Sequence, residues 1–125
     1  MSHTIKTVPN FDREMKRLSK KYVSLKNEYK VLIEDLEKNP ELGDHLGNGI
    51  YKIRIGIASK GKEKSGGARV ITFLKTKQKT IFLLSIYDKG VKDSISDNEI
   101  RAIIESDVIP VPTDLQTVGK EYKDL

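Results

Sequence analysis

Between Pro9 and Pro40 the apolar residues Phe11, Met15, Leu18, Tyr22, Leu25, Tyr29, Leu32, Ile33 and Leu36 recur at spacings of three and four. Side chains so spaced share one face of an α-helix, so this stretch must bury a stripe against something else. Asn10 stands where an N-cap is expected. Lys38-Asn39-Pro40 ends the pattern, because proline disfavours helical geometry in the residue before it. Ser19 and Ser24 fall near the middle, which favours two antiparallel helices, about Phe11 to Lys20 and Ser24 to Lys38, over one long rod. A helical hairpin needs an apolar layer to cover, and the rest of the chain must supply it.

Strand-like segments follow. Ile50 to Ile55 alternates, with Ile53 and Ile55 facing one way and Lys52 and Arg54 the other. Arg69 to Lys75 and Thr80 to Tyr87 are rich in β-branched and aromatic residues, and Thr76-Lys77-Gln78-Lys79 between them suits a hairpin. Ile5 to Val8 reads as a short first strand. Glu41 to Gly49, with three glycines, reads as loop, and Ala58 to Ala68 is too polar for a core. Ser96-Asp97-Asn98-Glu99 has capping-box spacing, with Ile100, Ile103 and Ile104 behind it, so a short third helix should end near Ser106. At 125 residues there is room for one compact core. The expected fold class is α+β: a helical hairpin on a twisted antiparallel sheet of about four strands, with a short C-terminal helix. One domain should span residues 1–106, and 107–125 should form an extended or disordered tail.

The formal net charge of +5 is unevenly spread. Residues 1–49 carry 9 basic and 8 acidic side chains, 50–80 carry 9 and 1, and 81–125 carry 5 and 9. The positive excess therefore lies on the predicted middle strands and their connection. Such a run is either a solvated face or the footprint of a phosphate-rich partner. The absence of cysteine excludes thiolate metal sites and thiol nucleophiles, and two histidines, His3 and His45, make a multi-histidine centre improbable. No apolar run approaches a membrane span and the N-terminus lacks a signal peptide's apolar stretch, so a soluble cytoplasmic protein without cofactors is expected.

Gly56-Ile-Ala-Ser-Lys-Gly61-Lys62 imitates a phosphate-cradling loop, but Glu63 follows where a magnesium-binding Ser or Thr is required. The more informative constellation is Lys52, Arg54, Lys60, Lys62, Lys64 and Arg69, with Tyr87 and Lys89 ending the next strand. In a meander, Lys52, Arg54 and Arg69 can share a face with Tyr87. The bland alternative is a set of independently solvated side chains.

Five segments, in order, closely resemble the RelE/ParE superfamily of bacterial toxins from type II toxin-antitoxin modules. They are Phe11-Asp-Arg-Glu-Met-Lys-Arg-Leu, the Leu36 to Gly43 junction, Tyr51-Lys52-Ile-Arg54, Lys64-Ser-Gly-Gly-Ala-Arg69-Val-Ile and Leu84-Ser-Ile-Tyr87-Asp-Lys89. The resemblance covers about Phe11 to Ile104 and is strongest to the RelE-like branch. It implies ribosome-dependent cleavage of mRNA in the decoding site of the small subunit, without metal, to a 2′,3′-cyclic phosphate and a free 5′-hydroxyl. It also implies a cognate antitoxin, and operator DNA only through the antitoxin complex.

With no histidine near the basic surface, lysine and arginine must carry such chemistry. A free lysine titrates near ~10.4, so a base near neutrality requires a fall of roughly 3 units, about 4 kcal/mol, which neighbouring cations can supply. The resemblance casts Lys52 as general base, Arg54 and Arg69 as stabilisers of the pentavalent phosphate, and Lys89 as proton donor to the leaving oxygen. Tyr87 is expected to stack on a nucleobase, and Lys60, Lys62 and Lys64 to hold the RNA backbone. The sequence departs from the pattern in having no tyrosine in the helix from Asp97 to Ser106, and its tail has no counterpart. Two other readings stay open: a ParE-like inhibitor of DNA gyrase, and an RNA- or ribosome-binding module without chemistry.

Overall fold

The computed structural model describes residues 3–60, apart from the Lys60 side chain, and 66–108. The chain divides after Ser94 into two compact units. The first opens with strand β1 (Thr4–Thr7), followed by helices α1 (Pro9–Lys21) and α2 (Leu25–Lys38) and strands β2 (Asp44–Gly47), β3 (Ile50–Ile55), β4 (Ala68–Lys75) and β5 (Thr80–Asp88). The helical hairpin and strands β3 to β5 fall where periodicity puts them. Phe11, Leu18, Leu25, Leu32 and Leu36 from the predicted stripe are buried.

The sheet has five strands in the order β1-β5-β4-β3-β2 and is mixed. β2 to β5 form an antiparallel meander, whereas β1 runs parallel to β5. A parallel neighbour needs a long crossover, and the helical hairpin plus three strands provide one. β2 lies inside the stretch read as loop. It is short and exposed, without the alternation that marks a half-buried strand, but Asn48 and Gly49 take φ of 56° and 80°. Two left-handed residues make the tight turn that pairs β2 with β3.

Asn10 does not cap α1. The helix starts two residues earlier, with Pro9 after an extended Val8, and proline loses nothing there because its missing N–H would be unpaired anyway. Asn10 instead donates to Glu14 Oε1 and to the Leu84 carbonyl, both at 3.0 Å. Leu84 is the extra residue of a bulge, since Ile71 pairs with Ser85 and Thr72 with Leu83. Glu14 Oε1 also accepts from the Ser85 hydroxyl at 2.8 Å and the Ile86 amide at 3.1 Å. The first two turns of α1 thus satisfy backbone groups near the bulge.

The second unit holds α3 (Asp97–Ile103), whose capping box is formed: Ser96 Oγ accepts from the Glu99 amide and Glu99 Oε1 from the Ser96 amide. The helix passes into a π-helical turn over Ile104–Val108, so helical geometry runs slightly past Ser106. The tail from residue 109 lies outside the described residues. Among the described residues no helix is long and apolar enough to cross a membrane.

Candidate functional site

The register of the meander assembles the site. Arg54 on β3 pairs with Arg69 on β4, and Arg69 pairs with Tyr87 on β5. Directly paired residues project to the same face, so these three form one row across three strands. Lys52 lies one step earlier on that face of β3, opposite Ile71 and Asp44. Lys89 lies two residues beyond Tyr87. β3 and β5 run the same way, so Lys52 stands before the arginine row and Lys89 after it.

Arg69 is 7% exposed, and its guanidinium donates to the carbonyls of Gly66 and Ala68. Among the described residues no carboxylate reaches salt-bridge distance of it. A buried cation without an anion is costly, so an incoming anion is favoured. The adjoining glycines make this geometry possible. At Gly67, φ is 50° and an added Cβ would sit 2.2 Å from the Ile55 carbonyl oxygen; at Gly66, φ is 86° and the obstacle would be the Lys89 side chain. The Gly67 carbonyl accepts the Lys89 amide at 3.0 Å. The Gly66-Gly67-Ala68-Arg69 segment therefore holds Arg69 and Lys89 together.

Tyr87 is 5% exposed, with the Lys92 ammonium 5.8 Å from its ring centroid. That corrects the expected open stacking platform. What Tyr87 offers instead is a buried hydroxyl with no hydrogen-bond partner among the described residues. Burial pushes its pKa up, against the pull of Arg69, Lys89 and Lys92, so the phenol stays protonated at neutral pH with its proton available to an incoming acceptor.

Arg54, Arg69 and Lys89 line one open hollow together with Glu28 and Gly67. Lys52 lines a second hollow shared with Arg54 and bounded by α2 residues Leu32 and Asp35. Of the three loop lysines, Lys60 lies in a short 3₁₀ turn, and Lys62 and Lys64 lie outside the described residues. Sequence reasoning missed Lys92 and Asp93, which follow β5 without periodic signal. It also missed Asp88, whose buried carboxylate accepts from the Gly90 amide at 2.9 Å and the Tyr22 hydroxyl at 2.6 Å, fixing the turn that carries Lys89.

Fold and site together define a small α+β domain with a cationic sheet face free of histidine. The chain matches the family model described as RelE toxin of the RelE/RelB toxin-antitoxin system over residues 10–108, and it belongs to that family. A double arginine-to-alanine mutant of the E. coli toxin RelE in the free state has the same fold, with a TM-score of 0.51 and 16% identity, covering 74% of this chain and 90% of that one. A chain of the toxin-antitoxin complex RelBE2 from Mycobacterium tuberculosis matches at a TM-score of 0.51 and 16% identity, covering 70% of this chain and 99% of that one.

Proposed function

We propose that this RelE-family toxin is a ribosome-dependent mRNA endoribonuclease, neutralised by a cognate antitoxin. The observation that carries the reading is the Arg54–Arg69–Tyr87 row flanked on opposite sides by Lys52 and Lys89. In-line displacement at phosphorus needs a base on the side of the nucleophile and an acid on the side of the leaving group. Lys52 takes the proton of the ribose 2′-hydroxyl as its oxygen attacks the adjacent phosphorus. Arg54, Arg69 and the Tyr87 hydroxyl stabilise charge on the pentavalent phosphate. The bond to the 5′-oxygen breaks, Lys89 protonates that oxygen, and a 2′,3′-cyclic phosphate and a 5′-hydroxyl result. The antitoxin is a protein with an acidic or partly disordered segment that covers the basic face.

The test is addition of purified protein to a translation extract, with mRNA ends mapped by primer extension. Cleavage of ribosome-bound mRNA leaving 5′-hydroxyl ends is expected. Folded wild-type protein that leaves this mRNA intact overturns the reading, and block of gyrase supercoiling at low toxin concentration replaces it with the ParE-like one.

A further inference from the structure

The Lys89 ammonium is ion-paired with the carboxylate of Asp93, four residues on. Asp93 lies in the irregular stretch after β5, and its side chain is 89% exposed. Lys89 first, then the charges of Arg69 and Lys52, hold its carboxyl below the usual carboxylate range. The Tyr87 phenol also senses it, in the opposite sense to the three cations. One carboxylate thus lies in the field of Lys52, Arg69 and Lys89, on both sides of the arginine row.

We propose that Asp93 is the resident anion of this site, occupying Lys89 until a phosphodiester of single-stranded RNA exchanges with it. The proposal rests on the phosphate-binding part of the function above and assigns to Asp93 the tuning of RNA affinity. Exchange differs from simple addition in its salt dependence. Each phosphate neutralised on a single strand contributes about 0.7 to the slope of log affinity against log salt. A phosphate that only displaces a neighbouring carboxylate leaves that negative charge beside it, so its contribution is largely cancelled. Removing the carboxylate restores it.

The experiment titrates a fluorescent single-stranded RNA, made uncleavable by 2′-O-methylation, into wild type, Asp93→Asn, Lys89→Met and the double variant at several NaCl concentrations. Asp93→Asn should bind about threefold to fivefold tighter at low salt, the scale of one exposed ion pair. Its salt slope should be steeper by about 0.7. Most of both effects should be lost in the Lys89→Met background, where only the weaker fields of Arg69 and Lys52 still act on Asp93. Asp93→Glu should behave as wild type. Wild-type binding with an unchanged Asp93→Asn affinity and slope overturns this inference alone, as does an Asp93→Asn effect of undiminished size in Lys89→Met. Wild type that fails to bind the RNA at any salt overturns this inference and leaves the proposed function to its own test, cleavage of ribosome-bound mRNA.

Discussion

The Tyr22 hydroxyl donates to Oδ2 of Asp88 at 2.6 Å, tying the junction of the two helices to the end of β5. Asp88 is only 5% exposed and also faces Lys21 Nζ at 3.9 Å. Hydrogen bonds to a charged group contribute roughly 1.5–3 kcal/mol. Tyr22→Phe should therefore lower unfolding free energy by about 1–2 kcal/mol, read as a urea midpoint shift at unchanged m-value. Asp88→Ala should cost more, because the Gly90 amide loses its acceptor as well. Since Lys89 follows Asp88 directly, RNA cleavage should fall in both variants, and midpoints equal to wild type would contradict the coupling.

Arg69 should matter more for cleavage than for stability. Removing it loses two bonds to carbonyls but also removes a buried, unpaired charge, and the two effects oppose each other. Arg69→Ala should reduce cleavage about 10²–10³-fold, the range for deleting one donor to developing charge, with unfolding free energy changed by about 1 kcal/mol or less. Arg69→Lys keeps the charge but loses the planar fork, so it should recover little activity. Primer-extension rates set beside urea melts separate these outcomes.

The two site glycines should fail differently. Gly67→Ala drives a methyl into the backbone carbonyl of Ile55 at a left-handed φ, so it should destabilise by roughly 3 kcal/mol and unfold some of the protein at 37 °C. Gly66→Ala meets the Lys89 side chain, 2.7 Å from its Cγ, and a flexible side chain can move aside. Its left-handed φ of 86° still costs about 1 kcal/mol for a residue with a Cβ, so it should lose less stability than Gly67→Ala yet lose cleavage, because Lys89 is displaced. Calorimetry and cleavage assays on the pair give opposite rankings if this assignment holds.

How much of this was legible in sequence follows from where the signals are local. The stripe from Phe11 to Leu36 and the alternation of Ile53 and Ile55 against Lys52 and Arg54 are periodic, so both helices and the cationic strand face could be read directly. β1 was legible as a strand but not as a parallel one, because parallel pairing is decided by the crossover rather than by the strand's own residues. β2 escaped because its four residues have no alternation, although Asn48-Gly49 was the turn signal that announced it. Asn10 looked like a cap and became a tertiary ligand of Leu84 and Glu14, a contact 74 residues away in sequence for Leu84. In the site, residue types were visible but pairings were not. The occupation of Lys89 by Asp93 and the burial of Tyr87 depend on how the chain turns after β5, where no repeat pattern reports on geometry.

The pH behaviour of Tyr87 distinguishes a proton donor from a base. Burial raises its pKa above the free value of 10.0 despite Arg69, Lys89 and Lys92, and burial followed by the Asp12 charge raises that of Tyr29. A raised folded-state pKa favours the protonated form in the native protein. The stability it contributes is therefore complete below the unfolded value near 10 and is lost as pH rises from there through the folded value. Absorbance at 295 nm should show phenol ionisation extending above pH 10 in the native protein, with one late-titrating group removed by Tyr87→Phe. Between pH 6 and 9 the hydroxyl stays protonated, so Tyr87→Phe should lower the cleavage rate by a constant factor and leave the shape of the pH–rate profile unchanged. A Tyr87→Phe variant whose deficit grew steadily with pH across that range would identify the phenolate, not the phenol, as the active form, and would remove Tyr87 from its role as donor to the phosphate.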